Sequence, residues 1–206
     1  MVKVKICGIT NLEDALASYI FGADAVGFVF YPASLRYISP LKARNISRIL
    51  PKQISRVGVF VNEKAARVLK IAKVCNLEML QFQGKETPEY CRKFKNYKVI
   101  KAFSVAKSED LKDLSRYKTY AYLFDSFSKT KPGGTGKKFN WKILPQAVKI
   151  KRVMFLAGGL NSANVNQALK SVRPTWIDVS SALESRPGKK DHLKLRKFMQ
   201  AVKIKF

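Results

Sequence analysis

The chain has 206 residues, 47% hydrophobic and 11% aromatic, enough for one domain with a full core and short for two. That composition excludes a disordered chain, and the longest apolar run, over residues 25–31, falls far short of a membrane span. The formal charge is +26, from 40 Lys and Arg against 14 Asp and Glu.

In chain order, residues 2–7 alternate apolar and polar side chains, the period of a strand with two different faces. Gly8 breaks the pattern, and Thr10 with Glu13 reads as a capping box opening a helix. Leu12, Ala15, Leu16, Tyr19 and Ile20 form its apolar stripe, and Gly22 stops it. Residues 25–30 suit a strand buried on both faces. Ser39 and Pro40 open a helix to Leu50, 56–61 is a third strand and 63–74 a third helix. A fourth strand over 78–83 ends at Gly84, and Thr87-Pro88-Glu89 opens the next helix.

Strand five spans 98–105, followed by a short helix over 109–116, and strand six spans 120–125. A Gly-, Lys- and Ser-rich connection over 126–140 and a helix from Trp141 lead to strand seven, 153–156. Asn161 caps a helix to Val172, strand eight covers 175–179, and the last helix covers 191–202. Strict alternation of strand and helix signals means parallel strands with right-handed crossovers. Eight units predict an α/β fold, a single closed (β/α)8 TIM barrel over residues 1–206. An open doubly wound sheet is the competitor, but its glycine fingerprint is missing.

Barrel chemistry sits at the carboxyl ends of the strands. Those ends offer Cys7, Gln81 and Gln83, Asp125, and Asp178 with Ser180 and Ser181, while the loop after strand two offers Arg36. Taken alone, Cys7 reads more readily as a small buried hydrophobe, and Asp125 equally well as a helix cap or a buried salt-bridge partner. Asp125, however, ends the apolar run Tyr122-Leu123-Phe124, where a buried carboxylate needs a reason. Alternation puts Lys5 on the same side as Cys7, where a buried cation would favour the thiolate. Gly158-Gly159 and Ser180-Ser181, after strands seven and eight, match a phosphate site at two helix N-termini.

Other candidates are weaker. Gly133-Gly134-Thr135-Gly136-Lys137 resembles a phosphate-binding loop, but Lys138 stands where Ser or Thr is required, so a flap over the mouth is the better reading. His192, the lone histidine, suits a surface or capping role. Cys75 and Cys91 read as packing residues, and no metal-ligand cluster is present in the sequence pattern. Three cysteines without disulfide spacing favour free thiols. Lys3 and Lys5 interrupt any signal-peptide core, so a cytoplasmic protein with no membrane partner is expected.

The excess positive charge attracts polyanions in a salt-sensitive way. Its cations are nevertheless spread out: Lys64, Arg67, Lys70 and Lys73 follow helical spacing on a solvated face, as do Lys194 and Lys197. Lysine outnumbers arginine, whereas base-reading surfaces lean on arginine. Non-specific polyanion binding is expected, and no specific nucleic-acid recognition.

Lys5-Ile6-Cys7-Gly8-Ile9-Thr10, Gly27-Phe28-Val29-Phe30, Arg56-Val57-Gly58-Val59-Phe60, the Asp125 strand end, Gly133-Gly134-Thr135-Gly136, Gly158-Gly159-Leu160-Asn161 and Asp178-Val179-Ser180-Ser181 occur in this order along the chain. Together they resemble the phosphoribosylanthranilate isomerases of tryptophan biosynthesis. The resemblance implies a cofactor-free Amadori rearrangement of a phosphorylated small molecule, with Asp125 as acid and Cys7 as base. It implies that Arg36 holds the anthranilate end, that Gln83 and Asp178 touch substrate, and that Gly158, Gly159, Ser180 and Ser181 hold the phosphate. A monomer or homodimer is expected. Two positions depart from the family pattern: Gln83 stands where histidine is usual, and Ala182 where glycine is usual.

Two other readings stay open at the level of sequence. One is a neighbouring phosphate-binding barrel such as indole-glycerol-phosphate synthase, against which the Cys7–Asp125 pair argues. The other is a basic barrel that binds nucleic acid without catalysis.

Overall fold

A computed structural model describes residues 1–105, 112–126 and 152–203. Eight parallel strands close into a barrel in sequence order: β1 (Lys3–Cys7), β2 (Ala25–Val29), β3 (Ser55–Phe60), β4 (Met79–Phe82), β5 (Lys98–Val105), β6 (Ala121–Ser126), β7 (Val153–Leu156) and β8 (Trp176–Val179). Closure is made by β1 on β8, with Lys5 level with Asp178 and Ile6 with Val179. Ring closure leaves no sheet edge.

Strand alternation divides the core into two. Ala25, Val57, Met79, Ile100, Ala102, Ala121, Leu123, Phe155, Ala157 and Trp176 pack together in the barrel interior. Phe155 and Trp176 stack there at 4.8 Å between ring centroids. The residues between them in sequence, such as Ile6, Phe28, Phe60, Phe82 and Phe124, face outward into the larger cluster shared with the helices. Because alternation within each strand fixes which side chains point inward, and the register levels neighbouring strands, Cys7, Gln81, Asp125 and Asp178 arrive at the mouth together.

Six α-helices are resolved among the described residues: α1 (Leu12–Ile20), α2 (Pro40–Ile49), α3 (Ala65–Val74), α4 (Pro88–Cys91), α5 (Val165–Val172) and α6 (His192–Lys203). Ser39 and Thr87 cap α2 and α4, each with proline in the first turn, as the sequence suggested. Lys64, Arg67, Lys70 and Lys73 are all exposed, as a solvated face requires.

Several local expectations are corrected. The cap of α1 is Asn11, not Thr10: Asn11 accepts from the Asp14 N–H at 2.9 Å and donates to the Asp14 carboxylate at 2.7 Å. Thr10 is drawn away because its hydroxyl donates to the Gly188 carbonyl. Ile20 is 72% exposed, since the buried face of α1 is Asp14, Ala15, Ala17 and Ser18. Asn161 caps a separate turn, accepting from the Ala163 and Asn164 N–H groups, so that α5 starts only at Val165. Of the helix expected over 109–116, the described part is one 3-10 turn, Leu114–Arg116. The loop at 133–137 and the helix expected from Trp141 lie outside the described residues.

One element has no counterpart in the sequence reading. Beyond a 3-10 turn (Ser181–Leu183), a small antiparallel hairpin pairs β9 (Glu184–Arg186) with β10 (Lys189–Lys190). Gly188 turns it with φ +81°. No helix among the described residues is long and apolar enough to cross a membrane.

Candidate active site

The carboxyl ends of the strands surround a cavity that opens to solvent. Its wall includes Cys7, Arg36, Gln81, Gln83, Asp125 and Asp178, and its rim includes Gly158, Gly159, Ser180, Ser181 and Ala182. Every site residue expected from sequence is therefore on one cavity.

On the β1–β8 side, Lys5 is fully buried and its ammonium lies 2.8 Å from Asp178 Oδ2. Alternation from Cys7 placed it there. Gly27 of β2 makes the room: a Cβ on it would come 2.8 Å from Cys7 Sγ and 3.0 Å from Lys5 Cε. The expected lowering of the Cys7 thiol is not obtained. Burial pushes its pKa up from 9.0; Lys5 pulls it back and Asp178 pushes it further up. Desolvation wins because the thiolate loses its water while Lys5 is shared with Asp178. Lys5 itself is held above its ordinary value: burial alone would lower it, but Asp178 and Cys7 outweigh that.

On the β4–β6 side, the Gln81 amide donates to Gln83 Oε1 at 2.8 Å, and the Gln83 amide is 3.4 Å from Asp125 Oδ2. Asp125 is 7% exposed. Among the residues that line the cavity, Gln81 Oε1 and Asp178 Oδ1 are buried acceptors without a hydrogen-bond partner among the described residues. Unpaired buried acceptors are uncommon and call for a donor from outside.

The Arg36 stem packs against Gly8 (φ +79°), where a Cβ would come 2.7 Å from Arg36 Cδ. Its guanidinium is held by Glu184 through Nε at 2.9 and 3.1 Å and Nη2 at 2.7 Å. The phosphate-loop expectation needs one correction. The groups at the rim are not two helix N-termini: α5 starts at Val165, and only the 3-10 turn Ser181–Leu183 follows β8. What the rim offers is backbone. Gly158 and Gly159 have φ of +84° and +66°, and their N–H groups take no backbone acceptor among the described residues. Successive amides in such a turn form an anion-binding concavity.

Sequence reasoning missed Glu184 and Lys190, both buried on the hairpin. The signal was present in Pro187-Gly188, a turn dipeptide between polar residues. His192, expected at the surface or as a cap, is exposed but reaches back 2.9 Å to the fully buried Asp14. Among the described residues no group of three or more His, Cys, Asp or Glu is placed to hold a metal ion.

Residues 4–201 match the family model described as N-(5'phosphoribosyl)anthranilate (PRA) isomerase. The chain belongs to that family. The N-(5'-phosphoribosyl)anthranilate isomerase of Thermotoga maritima is 49% identical over 205 residues, covering 98% of this chain and 99% of the relative. A crystal structure of a phosphoribosyl anthranilate isomerase in complex with reduced 1-(o-carboxyphenylamino)-1-deoxyribulose 5-phosphate superposes with a TM-score of 0.90. It is 46% identical and covers 98% of this chain and 99% of its own. A structure of monomers generated from the dimeric Thermotoga maritima isomerase also has a TM-score of 0.90, at 45% identity over 98% of this chain and 99% of that one. As a phosphoribosylanthranilate isomerase, the chain is an enzyme of tryptophan biosynthesis with the closed barrel of its relatives.

Proposed function

We propose that the cavity converts N-(5'-phosphoribosyl)anthranilate into 1-(o-carboxyphenylamino)-1-deoxyribulose 5-phosphate with Asp125 as general acid and Cys7 as general base. The observation that carries this is the convergence of a thiol, a carboxyl group and an amide-lined rim on one cavity. Protonated Asp125 gives its proton to the ribose ring oxygen, the ring C–O bond breaks, and the anthranilate nitrogen becomes a cationic Schiff base. Cys7 then takes the proton from carbon 2, and the electron pair of that C–H bond moves to neutralise the nitrogen. The resulting enol-amine takes that proton back at carbon 1 from the Cys7 thiol, and its carbon-2 hydroxyl gives its own proton to the Asp125 carboxylate, which leaves the neutral ketone and restores both groups. Protons and electrons balance, so no cofactor is required.

The raised pKa of Cys7 fits this order of events. Before the ring opens, the buried sulfur keeps its proton. The cationic Schiff base adds positive charge to that of Lys5, which favours loss of the thiol proton to solvent, and the thiolate so formed is the base that takes the carbon-2 proton. Gln83, in place of the family's usual histidine, donates to Asp125 but does not titrate and cannot relay a proton. Acid catalysis is therefore assigned to Asp125 and not to position 83. Asp178 Oδ1 and Gln81 Oε1 accept from sugar hydroxyls, Arg36 meets the anthranilate carboxylate, and Gly158, Gly159, Ser180 and Ser181 hold the phosphate.

The chain acts as one catalytic domain, as a monomer or homodimer, in the cytoplasm. Its spread lysines give salt-sensitive polyanion binding without sequence recognition. Loss of anthranilate-type fluorescence on adding phosphoribosylanthranilate to purified protein tests the reaction, and absence of turnover would refute it.

A further inference from the structure

The β9–β10 hairpin carries a buried ion cluster that this mechanism does not use. Glu184 is 8% exposed and Lys190 2%. Lys190 Nζ donates to the Cys7 carbonyl at 2.7 Å, the Ser180 carbonyl at 3.3 Å and Glu184 Oε1 at 2.9 Å. Its backbone N–H donates to Asp14 Oδ2 at 2.7 Å, which pins the hairpin to α1. Buried ions of this kind are weak contributors to stability, because apolar residues of equal volume do as well or better. The cluster calls for a reason of position.

That reason lies in the geometry of Arg36. A guanidinium offers a carboxylate two bidentate edges, one through Nε and an Nη, the other through both Nη groups. Glu184 occupies the first edge. Glu184 in turn is fixed by Lys190 and by the Gly188 N–H at 3.4 Å. Arg36 lines the cavity, so the end-on edge is what remains for a ligand. A long side chain held in advance loses less entropy when it binds.

We propose that Glu184 is a positioning residue that presents only the end-on edge of Arg36 to the cavity, so that the aromatic carboxylate of the substrate is recognised there. The proposal rests on the reading of Arg36 as the carboxylate anchor. Glu184 makes no contact with substrate and acts through Arg36.

The test compares two probes, reduced 1-(o-carboxyphenylamino)-1-deoxyribulose 5-phosphate and the same compound with an unsubstituted phenyl ring. The intact protein should bind the carboxylated probe more tightly. Glu184→Gln should weaken that probe by about fivefold, the scale of immobilising one long side chain, and leave the phenyl probe unchanged. In an Arg36→Met background, Glu184→Gln should cause no further loss. Equal losses on both probes would mark a merely structural role and overturn the proposal, as would unchanged affinity for both in the folded variant. If the intact protein does not distinguish the probes, the anchor reading itself fails. Should Glu184→Gln not fold, Glu184→Asp keeps the charge, withdraws the carboxylate by one methylene, and is decided by the same outcomes.

Discussion

On the β1–β8 flank of the cavity the proposed working groups are set against charges: Cys7 beside Lys5, Lys5 on Asp178 at 2.8 Å, Arg36 on Glu184 at 2.7 Å. On the β4–β6 flank two amides lie beside Asp125, Gln83 at 3.4 Å from its carboxylate and Gln81 bonded to Gln83 at 2.8 Å. The difference follows from the two proposed tasks. A base that must form an anion in a dry site needs fixed positive charge nearby. An amide beside the acid hydrogen-bonds it without titrating. The amide flank does have an ion pair, but behind the barrel wall. Lys101 bonds Glu86 at 3.0 Å and the carbonyls of Phe82 and Gly84, holding the segment that bears Gln83.

The comparison is broken most severely by removing either reacting group. Cys7→Ser raises the pKa of the base far above neutrality, and Asp125→Asn removes the acidic proton. Each should lower kcat by about a hundredfold or more, the usual scale for a positioned acid or base, with KM moving much less. Near-normal kcat in either folded variant would move the chemistry elsewhere.

Support behind the amide flank is tested by Lys101→Met, which strands the 5%-exposed Glu86. Denaturant unfolding should show a loss of about 3 kcal/mol, the scale for breaking a buried pair on one side. A loss within error would mean that the segment is held by its backbone bonds alone.

A smaller effect is expected at the rim shared by both flanks. Gly159→Val puts a β-branched residue at φ +66° and should raise KM by about tenfold while kcat changes little. Unchanged KM in a folded variant would place the phosphate elsewhere.

The mildest probe asks only how the charges tune the thiol. Burial raises the Cys7 pKa, with Lys5 opposing and Asp178 reinforcing. For an acid-to-anion titration, a raised pKa shifts thiolate formation to higher pH. Alkylation of Cys7 by iodoacetamide in the ligand-free protein should therefore keep accelerating above pH 9.0. A plateau near neutrality would show that Lys5 outweighs burial.

The flanks also differ in how far they could be read from sequence. Cys7, Lys5, Gln83, Asp125 and Asp178 share a face because strands have a period of two, so a correct strand assignment delivered the inner wall. The frame around Arg36 was not legible. Its partner Glu184 is 148 residues away, and Lys190 reaches the Cys7 carbonyl across 183. No local pattern announces such pairs, and lysines in Pro187-Gly188-Lys189-Lys190 look like solvent-facing charge. Thr10 was a plausible cap on local grounds and lost to Asn11 because the hairpin claims its hydroxyl.

The central claim is the division of labour between Cys7 and Asp125, and it is tested most directly by single-turnover kinetics with substrate deuterated at carbon 2 of the ribose. In Cys7→Ser, proton abstraction becomes rate-limiting, and a full primary isotope effect is predicted. In Asp125→Asn, ring opening limits first, and the effect should vanish. No isotope effect in Cys7→Ser, or a full one in Asp125→Asn, would contradict the assignment of base and acid.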